Sequence, residues 1–187
     1  MDSHYSFYGG HFGAWRVVSQ RAVKGEGLAL APRIDVVCGE ALSNNALPPG
    51  CTWRLRGLTS NLRYAERAEV EALTAKQPPT GRLEATCAAL IPIKKSAAWW
   101  ALAQDERRRI FEAQSHHTRL GLEALPAIAR RLHHSRDLGE AFDFVTWFEY
   151  APEHAVAFEK LVYQLRATPE WEFVEREIDL RLVREAA

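Results

Sequence analysis

The chain has 187 residues, enough for one large domain or two small fused domains with a substantial core. Nearly half of the residues are apolar, and the 24 basic residues balance the 24 acidic ones. Because a balanced chain has no net positive field to attract phosphates, nucleic acid is not expected as a partner. The chain contains no run of eighteen apolar residues, so no membrane span is predicted. The first residues have neither the basic nor the apolar region of an export signal.

The three cysteines, Cys38, Cys51 and Cys87, are odd in number and widely spaced, and they form no Cys-x-x-Cys pair. This usage suits a reducing compartment and predicts a cytoplasmic protein. We expect each cysteine to be a small, buried apolar residue rather than a ligand or a nucleophile.

The N-terminal half, residues 1–80, has the less regular pattern. Alternation of apolar residues predicts strands over residues 15–20, 34–37 and 52–58 and a helix over residues 63–74. Loops rich in glycine, proline and asparagine separate these segments. The pattern is compatible with a ferredoxin-like half that repeats the organisation of the C-terminal half.

The C-terminal half, residues 81–187, has a clearer order of elements. A buried strand is predicted over residues 86–93, with Pro92 at its end, and helical segments follow over residues 96–111 and 117–124. Two strands at residues 128–135 and 142–150 form a hairpin, and a helix and a strand complete the half at residues 153–166 and 171–183. The order β-α-β-β-α-β is ferredoxin-like. The predicted fold class is α+β, with two fused ferredoxin-like halves and antiparallel sheets, as in the dimeric α/β barrel superfamily.

Two pairs of adjacent histidines are candidate ligands. His116 and His117 are predicted on a helix, where their side chains point about 100° apart, so only one can face a given pocket. His133 and His134 are predicted on a strand and therefore point to opposite faces. A zinc site from these four would need awkward geometry, and no acidic residue has ligand spacing. A haem site requires fewer ligands than a zinc site, since one axial imidazole and an apolar cavity are enough.

The hairpin could form the wall opposite such an imidazole. With a period of two, Arg130 and Leu132 share one face of the first strand, and Thr146 and Phe148 share one face of the second. If these faces line a haem pocket, Arg130 is a permanent cation that could hold a small oxyanion. The residues alone favour the plainer alternative, a surface salt bridge, because most arginines lie at the surface.

Two aromatic residues each allow a structural and a haem-binding interpretation. Trp99 fits core packing, although a tryptophan can also lie beside the edge of a haem. Tyr64 fits a structural role near the start of a helix, although its hydroxyl could bind a haem propionate.

Several longer segments resemble the chlorite dismutase family. They are the decapeptide Ile-Pro-Ile-Lys-Lys-Ser-Ala-Ala-Trp-Trp at residues 91–100, Ser-His-His at 115–117, Leu-Pro-Ala-Ile-Ala-Arg-Arg-Leu at 125–132 and Phe-Asp-Phe-Val-Thr-Trp-Phe-Glu at 142–149. Shorter matches lie at residues 56–58 and 63–67. Together these segments are far more specific than any short motif, and the resemblance covers most of the chain.

The resemblance implies a haem b enzyme that converts chlorite to chloride and dioxygen, with formation of an O–O bond. It implies His117 as the proximal iron ligand, Glu170 as the carboxylate that hydrogen-bonds this histidine, and Lys95 in the same network. It implies that Arg130 is the catalytic cation on the distal side. It also implies that three residues form the distal wall (Leu132, Thr146, Phe148) and that two contact the cofactor (Tyr64, Trp99).

The short N-terminal part is similar to that of the smaller branch of the family, which implies a homodimer. Glu177 stands where the longer branch carries a tryptophan, so the resemblance assigns it no role. A coproheme decarboxylase is the alternative within the superfamily, but a glutamine tends to occupy the position of Arg130 there. A non-catalytic haem carrier or sensor, or a ferredoxin-like binding module without haem, remain the alternatives from other classes.

Overall fold

The computed structural model describes residues 3–39, 46–59, 67, 71 and 75–185. Within these residues the chain forms eight strands: β1 (Ser3–Gly10), β2 (Trp15–Lys24), β3 (Arg33–Cys38), β4 (Cys51–Thr59), β5 (Cys87–Lys95), β6 (Ile128–His134), β7 (Phe144–Tyr150) and β8 (Val174–Arg184). All pairings are antiparallel, and the strands close into one barrel in the order β1-β3-β2-β8-β5-β7-β6-β4. The predicted α+β class with antiparallel sheets is therefore confirmed.

The two predicted halves share this barrel. Strands β1–β4 precede residue 80 and strands β5–β8 follow it, and the pairs β2–β8 and β4–β6 join the two sets. The order is β4-β1-β3-β2 in the first half and β8-β5-β7-β6 in the second, so corresponding strands occupy corresponding places. The division into units of residues 1–80 and 81–187 stays a prediction.

The N-terminal half differs from the predicted pattern at two points. Strand β1 is additional, since no strand was predicted over Ser3–Gly10, although Tyr5, Phe7 and Tyr8 are residue types that favour one. Residues 11–14 join β1 to β2 without a helix, so the β-α-β-β-α-β order is not observed there. Of the predicted helix at residues 63–74 only Arg67 and Glu71 are described, and both are helical.

Helices cover one face of the C-terminal strands. They are α1 (Ala97–Ala101), α2 (Gln104–Arg108), a π-helical turn (Arg109–Gln114), α3 (His117–Glu123) and α4 (Ala155–Arg166), with a 3₁₀ turn (Pro169–Phe173) before β8. The strand predicted from residue 171 thus begins only at Val174. No helix of the described residues is long and apolar enough to cross a membrane.

Pro92 lies inside β5 rather than at its end, which corrects the predicted boundary. Its partner on β7 is Val145, whereas the pairing of β5 with β8 is interrupted between Leu90 and Ile93. Proline has no N–H to donate to a ladder, so it fits where the hydrogen bonding on one side is interrupted. The strand continues to Lys95 and carries that side chain to the functional site.

Two hydrophobic cores lie on opposite faces of the C-terminal strands. The barrel interior is filled by large side chains that include Phe7, Trp15, Trp147 and Leu180. The second core lies between the outer face of the sheet and the helices, and residues of α4 and β5 dominate it. Because side chains alternate along a strand, successive residues of β5–β7 point in turn toward the barrel interior and toward the second core.

Candidate active site

A large cavity lies between the outer face of the C-terminal sheet and the helices that cover it. It encloses about 1050 Å³ of space that protein atoms do not fill, including solvent at its mouth. Its lining includes all eight predicted site residues that the structure describes: Lys95, Trp99, His117, Arg130, Leu132, Thr146, Phe148 and Glu170.

His117 enters the cavity from the first turn of α3. The residue before it, His116, has a φ of 50°, in the left-handed region that non-glycine residues rarely adopt. This turn follows the π-helical segment, and π-turns are frequent at functional sites. The imidazole of His117 is buried and stacks on the Phe111 ring, with the centroids 4.3 Å apart and the planes 21° from parallel.

A chain of hydrogen bonds holds this imidazole from behind. Nδ1 of His117 lies 2.8 Å from Oε2 of Glu170, and Nζ of Lys95 donates to Oε1 of Glu170 at 2.7 Å. Lys95 also donates to the main-chain oxygen of Glu170 at 3.2 Å, and the Glu170 N–H donates to Oγ of Ser115 at 3.1 Å. Three different elements therefore fix one carboxylate against one ring nitrogen.

The charges of this chain follow from its burial. Burial alone would raise the pKa of Glu170, but the interactions with His117 and with the Lys95 ammonium lower it to about 2. Burial lowers the pKa of His117 and outweighs the opposing effect of Glu170. At neutral pH the carboxylate is ionised and the imidazole is neutral, with its proton on Nδ1. Nε2 is then the nitrogen with a free lone pair for a ligand in the cavity.

Arg130 projects into the same cavity from β6. Its guanidinium lies over Gly121 of α3, where a Cβ would come within 3.2 Å of Nη1. Among the described residues no carboxylate lies within ion-pair distance of this guanidinium, so the alternative of a surface salt bridge is not observed. Burial lowers the pKa of Arg130, while the charge of Glu170 raises it. Because a guanidinium keeps its proton in proteins, the group remains a cation without a fixed counter-ion.

The other predicted wall residues lie beside Arg130 in the β6–β7 hairpin. The register pairs Arg130 with Phe148 and Leu132 with Thr146, so all four face the cavity. Trp99 is buried at the cavity wall, with Nζ of Lys95 4.7 Å from its ring centroid. Tyr64 lies outside the described residues, and its contact with a propionate stays a prediction.

Among the other residues that line the cavity, three have contacts of interest but were given no role from the sequence. Phe111 stacks on His117, Trp171 follows Glu170 directly in the chain, and Glu177 on β8 is fully buried. The indole N–H of Trp171 donates to Oε2 of Glu177 at 2.8 Å. A buried acidic residue within the alternating pattern of a strand was the available signal for Glu177, since such a residue needs a partner.

The remaining candidate ligands do not form a site. No group of three or more histidine, cysteine or acidic side chains able to hold a metal ion occurs in the part of the chain that the structure describes. Cys38 is exposed, which contradicts its predicted burial, while Cys51 and Cys87 are half-buried thiols whose pKa values burial raises. His133 and His134 lie on opposite faces of β6, as predicted, and only His134 lines the cavity.

The residues present fit a haem with one axial histidine. The donor set supplies one imidazole nitrogen, and a buried carboxylate fixes the tautomer of that imidazole. Apolar side chains of isoleucine, leucine, valine, phenylalanine and tryptophan form most of the surrounding wall. Arg130, a cation with no counter-ion among the described residues, lies in the same cavity and can attract an anionic substrate.

Comparison with known proteins identifies the family of the chain. The sequence profile of the chlorite dismutase family matches residues 50–185, so the chain belongs to this family. Over 81 residues it is 37% identical to the chlorite dismutase of Ideonella dechloratans. That alignment covers 43% of the chain and 26% of the relative, so the chain spans about a quarter of that protein's length.

Solved structures agree with the fold. The chain is 56% identical to a dimeric chlorite dismutase from Nitrobacter winogradskyi, with a TM-score of 0.89 over 97% of this chain and 99% of that one. A chlorite dismutase from Candidatus Nitrospira defluvii in complex with imidazole is 21% identical, with a TM-score of 0.70 over 98% of this chain and 91% of that one. At that identity the likeness shows the fold alone.

Proposed function

We propose that this protein is a haem b-dependent chlorite dismutase that converts chlorite to chloride and dioxygen. The observation that carries the proposal is the placement of two unlike groups in one cavity. The neutral imidazole of His117 is held through Glu170, and the cation of Arg130 has no counter-ion among the described residues. Membership of the chlorite dismutase family and the 56% identity with the Nitrobacter enzyme support the same function.

In this proposal His117 holds the haem iron through Nε2. Glu170 accepts the Nδ1 proton of His117 and increases the basicity of the ring, and Lys95 keeps the carboxylate in place. Haem b, when bound, supplies the oxidation–reduction chemistry that separates and rejoins the oxygen atoms of chlorite.

Arg130 has the second role. Its charge attracts chlorite into the cavity and retains the hypochlorite anion that remains when one oxygen atom has left, until the O–O bond forms. Leu132, Thr146 and Phe148 surround the guanidinium with mostly apolar side chains. Such surroundings exclude water and strengthen the attraction between the guanidinium and the anion.

The experiment is an oxygen-electrode measurement on haem-loaded protein after addition of chlorite. We expect one dioxygen and one chloride for each chlorite consumed. A stable haem absorption band without dioxygen release would contradict the proposal and favour a non-catalytic haem carrier or sensor. Decarboxylation of added coproheme, detected by mass spectrometry, would instead identify the coproheme decarboxylase alternative. Arg130 argues against that alternative, since a glutamine tends to occupy its position there.

We propose further that the protein is a homodimer of two fused ferredoxin-like halves, located in the cytoplasm. The dimeric relative from Nitrobacter supports the dimer, and the matching strand orders of the two halves support the repeat. The free cysteines Cys38, Cys51 and Cys87 agree with a reducing compartment. Sedimentation equilibrium tests the dimer, because a monomer at micromolar concentration would contradict it.

A further inference from the structure

Three tryptophans lie at or next to the cavity, and their electrostatic surroundings differ. Trp99 has the Lys95 ammonium 4.7 Å from its ring centroid. Trp100 has the Arg136 guanidinium 3.7 Å from its centroid and that of Arg107 at 5.3 Å. Its indole N–H donates to Asp143 at 3.2 Å, but the same carboxylate oxygen also accepts the N–H of Lys95.

Trp171 is the exception among the three. Its indole N–H donates at 2.8 Å to Glu177, a carboxylate that is completely buried at the cavity wall. Arg166 forms an ion pair with the other oxygen of that carboxylate, with Nε 2.8 Å from Oε1, so the negative charge is the nearer one to the indole N–H. Nζ of Lys95 lies 5.5 Å from the Trp171 centroid, farther than from that of Trp99, and its charge is paired with Glu170 in both cases.

Oxidation of an indole by one electron leaves a positive charge on the ring. A carboxylate at hydrogen-bond distance stabilises that charge, whereas a guanidinium stacked on the ring opposes it. In a buried site both effects are larger than in water, because the local dielectric constant is lower. Trp171 is therefore the tryptophan of this set that gives up an electron most readily, and Trp100 is disfavoured.

The chain also connects Trp171 to the proposed iron ligand. Trp171 follows Glu170 directly, and Glu170 is hydrogen-bonded to His117 at 2.8 Å. A short covalent and hydrogen-bonded route thus joins the indole to the imidazole. Trp171 is partly exposed, so a reductant outside the protein can reach it.

We propose that Trp171 is a redox-active residue that gives one electron to the haem after hydrogen peroxide has oxidised it. Hydrogen peroxide takes up two electrons and two protons and is released as two molecules of water. The Trp171 ring supplies one electron and is left as a radical cation, and the bound haem supplies the other, which a second equivalent of the external donor replaces. The indole proton stays in the hydrogen bond to Glu177. An external one-electron donor such as ascorbate restores Trp171. This proposal rests on haem binding by the protein but not on its turnover of chlorite.

The first test uses haem-loaded protein that contains ring-deuterated tryptophan, mixed with hydrogen peroxide and rapidly frozen for electron paramagnetic resonance. We expect an organic radical whose hyperfine structure narrows on deuteration. Trp171→Phe should lower its yield about fivefold or more, while the matched control Trp100→Phe should leave it unchanged. Equal yields in Trp171→Phe and the wild type, or loss of the signal in Trp100→Phe, would overturn the proposal.

A second variant separates the effect of charge from that of packing. Glu177→Gln keeps an oxygen that can accept the indole N–H but removes the negative charge. We expect a lower radical yield with an unchanged haem absorption band. A Glu177→Gln protein with the radical yield of the wild type would contradict the role of the carboxylate.

A haem-free measurement keeps the two proposals distinguishable. A photogenerated ruthenium(III) tris-bipyridine oxidant is applied to the protein without haem, and the oxidised tryptophans are located by peptide mass spectrometry. We expect oxidation at Trp171 to exceed that at Trp100, and Glu177→Gln to remove the excess, which exposure alone would not do. Equal oxidation at both tryptophans would overturn the assignment. Failure to bind haem would contradict the proposed function, and this measurement would then decide the Trp171 assignment by itself.

Discussion

Strand β6 presents one arginine and one histidine to each of its two sides, and the contacts of these side chains differ between the two sides. On the barrel side Arg131 donates to the Tyr5 hydroxyl at 2.7 Å, and Nδ1 of His133 lies 2.9 Å from the Val145 oxygen. On the cavity side the guanidinium of Arg130 has no hydrogen-bond or ion-pair partner among the described residues, and His134 lines the open space. Identical residue types, one position apart, are thus placed in a packed core and in a cavity.

The difference shows how one strand can serve stability and chemistry together. Side chains on the barrel face are packed by aromatic rings, since His133 lies 4.8 Å from the Tyr5 ring and 5.1 Å from the Phe7 ring. The cavity face leaves Arg130 a charge that an anion can neutralise. Nε2 of His133 on the barrel face is also buried without a hydrogen-bond partner among the described residues, so the two faces differ in packing and in the open space beside Arg130 rather than in complete hydrogen bonding.

The largest effect is expected at the cavity face, from loss of the proposed iron ligand. His117→Ala should remove most of the bound haem, because His117 is the imidazole that Glu170 fixes toward the cavity. The matched control is its neighbour, His116→Ala, which should retain haem. The measurement is a haem titration followed by absorbance. Haem loss in His116→Ala alone would mean that the neighbouring histidine is the ligand.

The next effect compares the two arginines of β6. Arg130→Ala should retain haem but lower kcat/KM for chlorite roughly 10²-fold, as the loss of one charged group at the reacting anion typically does. Its haem should also bleach during turnover, because hypochlorite escapes. Arg131→Ala should leave kcat/KM within a few-fold of the wild type. Equal bleaching in Arg130→Ala and the wild type would count against hypochlorite retention by this residue.

A smaller effect is expected behind the imidazole. Glu170→Gln should weaken haem binding roughly 10- to 100-fold, the usual consequence of removing a partner of a metal-bound histidine. It should also lower the iron–histidine stretching frequency of the reduced protein, since the ring loses basicity. The exposed Glu172→Gln is the matched control. An unchanged stretching frequency in Glu170→Gln would exclude a role in tuning the histidine.

The last comparison separates the faces by pH and concerns stability rather than activity. Burial lowers the pKa of His133 from 6.5 to about 4, so the unfolded chain binds this proton at a higher pH than the folded protein does. The free energy of unfolding should then fall by about 3 kcal/mol as the pH decreases from 6.5 to 4. The Glu170 pKa is lowered instead, from 4.5 to about 2, so its contribution is complete above pH 4.5 and is lost only toward pH 2.

Urea denaturation at a series of pH values measures this difference. His133→Gln should reduce the change between pH 6.5 and 4 and leave the loss below pH 4.5, and the part that remains belongs to His117, whose pKa burial also lowers. The exposed His11→Gln is the control and should behave as the wild type. A wild-type slope in His133→Gln would show that other groups cause the pH dependence.

Much of the fold could be read from local patterns. The strands and helices of the C-terminal half followed from alternation and helical spacing, which report directly which residues are buried. In the missed strand Ser3–Gly10 two glycines and three polar residues weaken the signal of its aromatic residues, and pairing with β3 and β4 on either side stabilises the strand. The π-helical turn before His117 was not predicted either, since no sequence period distinguishes it from an α-helix.

The sequence by itself determined the alternation that sends Arg130 and Arg131 to opposite faces, and its longer segments determined the family. It could not determine which face meets a cavity, because that depends on where the helices after β5 and β7 pack. Only the tertiary structure brought Lys95, His117 and Glu170 within hydrogen-bond distance, from three segments that are separated along the chain. The same is true of Trp171 and Glu177, whose contact exists because a 3₁₀ turn folds the indole back over the strand that follows it.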